Sequence, residues 1–203
     1  MAINGIFGGN TLGRKSVAFG TAINRLVPPF RGKTTRISKM VATAAGTAHT
    51  VTVMRSIGRT KVTTAAAASA TAITVDAING TLSPTGNNLA GSDLVAFRET
   101  DGVTRQYTVS SVSGNVITLS AGLTAGVAAQ ADVWNFGVAG DTDPKTGEAH
   151  MVFTVPASAT TTFSDDSAGV AASNLPDEPL LLQQNNATAT GTIEQVSYGY
   201  TNN

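Results

Sequence analysis

The segment DLVAFRETDGVTRQYTVSSVSGNVITL, residues 93–119, sets runs of β-forming side chains around two tight turns. The Asp-Gly pair at 101–102 is a two-residue hairpin signal, because such turns favour residues that tolerate positive φ. On the returning run, Arg105, Tyr107 and Val109 alternate with polar residues at the period of a β-strand. The segment therefore predicts consecutive antiparallel strands.

The strand pattern continues on both sides of this segment. Residues 132–136, DVWNF, close a unit of four or five short strands over 77–137, about the size of a small barrel. The flanks carry further candidate strands at 34–44, 49–56, 60–64, 72–75, 149–155, 161–163, 178–183 and 190–200. We predict an all-β fold: a β-sandwich from residues 34–76 plus 138–203, with a small antiparallel β-barrel-like domain, 77–137, inserted in it. Tandem β-domains are the alternative.

Two details of the flanks bear on packing. The alanine run 65–68 is bordered by Thr and Ser and followed by period-two alternation, which favours strand and turn over a short helix. The three leucines at 180–182 suit a strand buried on both faces, or one buried at a subunit contact.

The first 33 residues are predicted to form an extended N-terminal arm. They contain six glycines and a Pro-Pro pair, but also more large apolar side chains than a disordered tail carries. At about 3.3 Å per residue, such a segment reaches on the order of 100 Å and can cross to a neighbouring subunit. Wrapping around its own core is the alternative. The candidate apolar anchors are Ile6, Phe7, Phe19 and Phe30.

Charge is divided along the chain although the formal net charge is zero. Residues 1–61 hold ten basic side chains and no acid, a charge of +10, whereas residues 62–203 hold three bases and thirteen acids, a charge of −10. Either the two parts neutralise each other within one fold, or the basic part faces an acidic partner. The basic residues expected to steer toward a partner are Arg14, Arg25, Arg31, Arg36 and Lys39. Nucleic acid is the less favoured partner, because the basic residues are spread out and few aromatics accompany them.

The composition restricts the chemistry that the chain can perform. Without cysteine it has no disulfide, no thiolate metal site and no cysteine nucleophile. No apolar run approaches the ~20 residues of a membrane-spanning helix, and the start MAINGIFGGN does not resemble a signal peptide. We therefore expect no membrane association and a cytosolic origin.

Candidate catalytic, metal and phosphate motifs are weak. His49 and His150 are the two imidazoles available as bases, and His49 lies within a strand pattern. The acidic loop 141–148 departs from a calcium-binding loop because Lys145 replaces an oxygen donor, so we interpret it as a solvated turn. Residues 5–10 are glycine-rich but lack the Lys-Ser/Thr of a phosphate-binding loop. We expect no enzyme, no catalytic residue, no metal, no cofactor and no small-molecule substrate.

Residues 93–98, 101–103, 107–119 and 133–137, together with the cysteine-free composition rich in Thr, Ala and Gly, resemble β-domains in structural proteins of tailed bacteriophages. Within that class, the size and the N-terminal arm are most similar to a capsid decoration, or cement, protein. The resemblance implies a virion protein, assembled in the host cytoplasm, that binds the outer capsid between capsomers and stabilises the shell. It implies the major capsid protein and further copies of the chain, as a homotrimer, as partners.

Two other functions remain open from the sequence. A neck, tail or adaptor component of the virion would use similar β-domains in a ring of fixed order. A host- or glycan-binding adhesion module would need exposed aromatic side chains, and one Trp and three Tyr supply few of them.

Overall fold

Strands are the regular elements throughout the part of the chain that the structure describes. That structure is a computed structural model, and it describes residues 13–19, 25–29, 31–77, 89–138, 150–164, 171–173, 177–184 and 191–201. The strands are β1 (Gly13–Phe19), β2 (Arg25–Val27), β3 (Thr34–Ala44), β4 (His49–Met54), β5 (Gly58–Lys61), β6 (Ala72–Thr74), β7 (Asp93–Arg98), β8 (Thr104–Ser113), β9 (Val116–Leu119), β10 (Asp132–Val138), β11 (His150–Val155), β12 (Thr160–Ser164), β13 (Ala171–Ala172), β14 (Leu180–Gln184) and β15 (Gly191–Thr201). The all-β prediction is confirmed.

The strands divide between two units. The first contains residues 1–55 and 150–203, and the second contains residues 56–149. In the first unit, one sheet has the order β1-β15-β3-β12, with β13 pairing beside β12 on the same neighbour, β3. The other sheet has the order β11-β4-β14-β2. All the pairings are antiparallel.

The core of the first unit lies between its two sheets, as in a β-sandwich. Strand β3 shows how the sequence specifies this packing, because half-buried and buried residues alternate strictly from Lys39 to Ala44, after an extra residue, Ser38, at a register shift with β15. Ile37, Met40 and Ala42 join the same apolar cluster as Val51 of β4 and Leu180 of β14. All three leucines at 180–182 are buried, as predicted for this central strand.

The second unit is a six-stranded antiparallel sheet in the order β5-β10-β7-β8-β9-β6. Its first and last strands meet, since Val62 forms a bridge with Val75 just beyond β5 and β6. Backbone hydrogen bonds from Thr63 N to Thr74 O (2.9 Å) and from Asp76 N to Lys61 O (2.8 Å) flank the bridge. Within the described residues, the sheet therefore curls until its first and last strands bond to each other.

One side of every long strand in the second unit faces a single apolar core. Val95 and Phe97 of β7 pack with Tyr107 of β8, Ile117 of β9 and Val133 of β10. The rings of Phe97 and Tyr107 are 6.0 Å apart between centroids and tilted by 59°. The period-two pattern of the sequence thus selects the residues that fill the curled sheet.

Two loops of matching conformation pack against each other in this unit, residues 62–70 (VTTAAAASA) and 123–131 (LTAGVAAQA), which are identical at four of nine positions. Their hydrogen bonds are exchanged symmetrically: Ser69 N donates to Leu123 O as Gln130 N donates to Val62 O, each at 2.7 Å. Ser69 and Gln130 also share positive φ, 67° and 66°. A local two-fold relation therefore joins loops about sixty residues apart.

The observed units correct two predicted boundaries. The range 34–76 is too long for the sandwich, because β5 and β6 pair with β10 and β9 of the inserted unit. The arm 1–33 is too long as well, because β1 pairs with β15 and β2 pairs with β14 of their own sandwich. Period-two alternation marks these segments as strands without showing which sheet they join.

Candidate interaction surface

The residues predicted to contact a partner fall into three groups. Ile6, Phe7 and Phe30 lie outside the described residues. By backbone register, Arg14 and Phe19 in β1 pair with Ser197 and Gly191, and Arg25 in β2 pairs with Leu182. Arg31 is exposed in the turn before β3, while Arg36 and Lys39 are half-buried within β3.

Strand β3 brings two of the predicted basic residues onto one sheet face. Ile37, Met40, Ala42 and Ala44 point into the core, so Arg36, Lys39, Val41 and Thr43 lie on the opposite side. Next to them on β12, Ser164 is paired with Lys39, Thr162 with Val41 and Thr160 with Thr43. We call this set the β3–β12 face: Arg36, Lys39, Val41, Thr43, Thr160, Thr162 and Ser164.

The β3–β12 face is polar, and its two charged side chains, Arg36 and Lys39, are both basic. Thr160, Thr162 and Ser164 are exposed, and the hydroxyl groups of Thr43 and Thr160 are hydrogen-bonded at 2.7 Å. None of the seven residues that define the face is acidic. Such a surface suits hydrogen bonding and attraction to carboxylates of a partner.

The two folded units differ less in net charge than the two segments of the sequence do. The first unit holds eight basic and five acidic residues, a net charge of +3, and the second holds five basic and eight acidic residues, a net charge of −3. The reduction from +10 to +3 has two sources: five acids of the C-terminal section belong to the first unit, and Arg59 and Lys61 belong to the second. Partial neutralisation within one fold and a remaining positive sandwich therefore both apply.

One acid from the C-terminal section holds the turn that carries Arg31. The amide of Gly32 donates to Asp177 Oδ1 at 2.7 Å, and the amide of Asp177 donates to the Lys33 carbonyl at 3.1 Å. Gly32 has a φ of 70°, where glycine carries no steric cost. The turn is thereby fixed, with Arg31 exposed on it.

A polar cluster that the sequence did not reveal lies in the second unit. The buried Glu99 carboxylate accepts hydrogen bonds from Arg105 Nη1 at 2.6 Å, from the Tyr107 hydroxyl and from the amide of Ala125 at 2.8 Å. Arg105 also binds Asp101 through two hydrogen bonds of 3.0 and 2.8 Å. The alternation along residues 104–109 indicated a strand, but no local pattern pairs Glu99 with a loop 25 residues away.

The cluster shifts the pKa values of its members in the directions expected for a closed network. The hydrogen bond to Arg105 holds the pKa of Asp101 below its usual value, and the same contact raises the pKa of Arg105. Burial, followed by the hydrogen bond to Glu99, raises the pKa of Tyr107. Because the Glu99 oxygens are occupied by donors from the chain itself, the cluster cross-links strands and loops.

The other side chains considered for chemistry lie as follows. His49 is buried in β4, and burial lowers its pKa. His150 begins β11. The loops 5–10 and 141–148 lie outside the described residues, and the described residues contain no group of three or more potential metal-ligating side chains among His, Cys, Asp and Glu. No helix in the described ranges has the length and apolar character needed to cross a membrane.

The aromatic residues Trp134 and Phe136 are buried, with 4% and 0% of their surface exposed. The guanidinium of Arg59 lies 5.0 Å from the Trp134 ring centroid and forms an ion pair with Asp132 at 3.6 Å. Both features stabilise neighbouring strands β5 and β10.

Comparison with known proteins identifies no relative of this chain. The chain matches no protein-family model, and no curated protein or solved structure is significantly similar to it.

Proposed function

We propose that this chain is a structural protein of a tailed-phage virion that decorates the outer surface of the capsid and stabilises the shell. The sequence features that support the proposal are the phage-like β segments within 93–137 and the basic N-terminal section. The observation that carries it is the β3–β12 face, where Arg36 and Lys39 lie among hydroxyl side chains on a unit of net charge +3.

The proposed mechanism is stabilisation by binding. A specific protein contact buries about 800 Å² on each partner, an area that one face of a four- or five-stranded sheet can supply. A protein that binds the assembled shell but not its free subunits shifts the equilibrium toward the shell. Basic side chains on the docking face increase the association rate with an acidic capsid surface and make binding sensitive to salt.

The test uses empty shells assembled from the major capsid protein of the same genome. Co-sedimentation of the purified chain with these shells should be saturable, and bound chain should raise the temperature at which the shells disassemble. Lys39→Glu should weaken binding by about tenfold or more, with a shallower salt dependence. Lys61→Glu is the matched control, because it makes the same charge change at an exposed residue of the second unit.

Three results would overturn the proposal. The chain could remain in the supernatant at low ionic strength, or both variants could lose binding equally. A purified protein that forms a six- or twelvefold ring would instead indicate a neck or tail component.

A further inference from the structure

Both sheets of the sandwich end at the same edge. Strand β11 is the last strand of one sheet and β12 the last of the other, and only residues 156–159 join them. The rings of Phe153 and Phe163, one from each strand, are 4.9 Å apart between centroids and tilted by 57°. Among the described residues, β11 pairs with β4 and β12 pairs with β3, each along one side.

The β11 edge lacks the features that usually prevent edge strands from pairing. Residues 150–164 contain no Lys, Arg, Asp or Glu, and the six β11–β4 pairs run without a bulge or a proline. Met151 and Val152, 36% and 47% exposed, are the large exposed apolar residues of the described sandwich. Such an edge is suited to receive another strand.

A segment of matching chemistry begins at the opposite edge. Strand β1 is the last strand on the far side of its sheet, and residues 1–12 precede it. This segment carries Ile3, Ile6, Phe7 and Leu12 and no charged side chain. Twelve extended residues span about 40 Å, and the three strand spacings from β1 to β12 measure about 14 Å.

We propose that residues 1–12 of one copy add as a strand to the free side of β11 in a second copy. Within one chain, β1 and β11 lie at opposite edges of the sandwich, so the segment would have to cross the width of the sandwich to reach β11. A neighbour placed with its β11 edge against the β1 edge receives the segment directly. Every copy then donates one strand and accepts one, a head-to-tail contact that forms a closed ring, such as a trimer, when the rotation between copies closes.

This arrangement covers Met151 and Val152 and places uncharged residues against an uncharged edge. The binding partner of the N-terminal arm is then another copy of the chain. It does not depend on capsid binding, because the contact lies between copies and uses a different part of the sandwich from the β3–β12 face.

Disulfide trapping tests the proposal cleanly because the chain has no cysteine. Full-length Ile6→Cys protein is mixed with full-length Val152→Cys protein under mild oxidation, and the Ile3→Cys variant is tested in parallel to cover the neighbouring register. We expect a mixed disulfide between two chains on a non-reducing gel. The control replaces Val152→Cys with Val103→Cys, since Val103 is equally exposed, at 47%, but lies in the second unit.

Three outcomes would overturn the proposal. Mixed cross-linking could be no greater than with the Val103→Cys control. Val152→Cys could link mainly to itself, which would indicate pairing of two β11 edges. In the doubly substituted chain, Ile6→Cys and Val152→Cys could link only within one molecule, which would place the segment on its own sandwich.

Charge at the edge supplies a second measurement. Val152→Lys should raise the dissociation constant of the oligomer by about tenfold or more, measured by analytical ultracentrifugation, because a lysine there opposes strand addition. Val103→Lys should leave that constant unchanged. If Val152→Lys separates the copies but single copies still bind shells, the proposed function survives, whereas an unchanged oligomer refutes the strand exchange.

Discussion

Gly126 combines a backbone conformation that favours glycine with a close approach of a neighbouring loop. Its φ is +86°, and a Cβ built there would lie 2.7 Å from the Ala66 carbonyl oxygen. That oxygen accepts the Val127 amide at 2.8 Å, and Ala66 donates back to the Val127 carbonyl at 2.9 Å. A side chain at residue 126 therefore strains its own backbone and pushes apart the two matching loops.

The expected cost of Gly126→Ala combines both effects. Positive φ at a non-glycine residue costs about 1 to 3 kcal/mol, and weakening two backbone hydrogen bonds costs about 1 kcal/mol each. The free energy of unfolding should fall by about 3 to 5 kcal/mol. Gly114→Ala is the matched control, with φ of 53° and no heavy atom within 4 Å of the added Cβ, and should cost about 1 to 2 kcal/mol.

Trp134 makes this difference measurable. It is the chain's one tryptophan and belongs to the second unit, so its fluorescence during urea denaturation reports the unfolding of that unit. The proposed packing of the two loops would be refuted if Gly126→Ala and Gly114→Ala unfolded at the same urea concentration.

Two further stability predictions follow from buried ionisable groups. Glu99→Ala should cost about 2 to 4 kcal/mol because it leaves the Tyr107 hydroxyl and the Ala125 amide without their acceptor, while Arg105 keeps its hydrogen bonds to Asp101. Tyr107→Phe, which removes one hydroxyl, should cost about 1 kcal/mol, and equal losses in urea titrations would contradict this ranking. Burial lowers the pKa of His49 below 6.5, so the folded chain binds fewer protons than the unfolded chain once the pH falls below that value. The contribution of neutral His49 to the free energy of unfolding is complete above pH 6.5 and is lost as the pH falls through the lower pKa of the folded state. His49→Val should therefore flatten the acid limb of a plot of stability against pH. An unchanged acid limb would exclude His49 as its cause.

Strand positions were predictable because each depends on local alternation. The run at residues 34–44 was expected as a strand and is observed as β3, since its inward residues are apolar and its outward residues are mostly polar. A hairpin joins β7 and β8 at the Asp-Gly pair, as predicted, but its loop has three residues, 100–102, closed by the hydrogen bond from Glu99 N to Val103 O, and Gly102 alone of these has positive φ, 81°.

Pairing between distant segments was not predictable from the same patterns. β1 pairs with β15, which lies at the other end of the chain, and no local signal connects them. The Glu99 cluster similarly joins a strand end to residues 124 and 125. The resemblance between 62–70 and 123–131 is a sequence signal for one such contact, because it repeats a short Thr- and Ala-rich pattern.

The most direct measurement of the proposed function is electron microscopy of shells of the same genome's capsid protein, imaged with and without the purified chain. We expect added density at regular positions on the outer surface between capsomers, one assembly of the chain at each position. Density confined to a single vertex, or no added density at saturating chain, would contradict it.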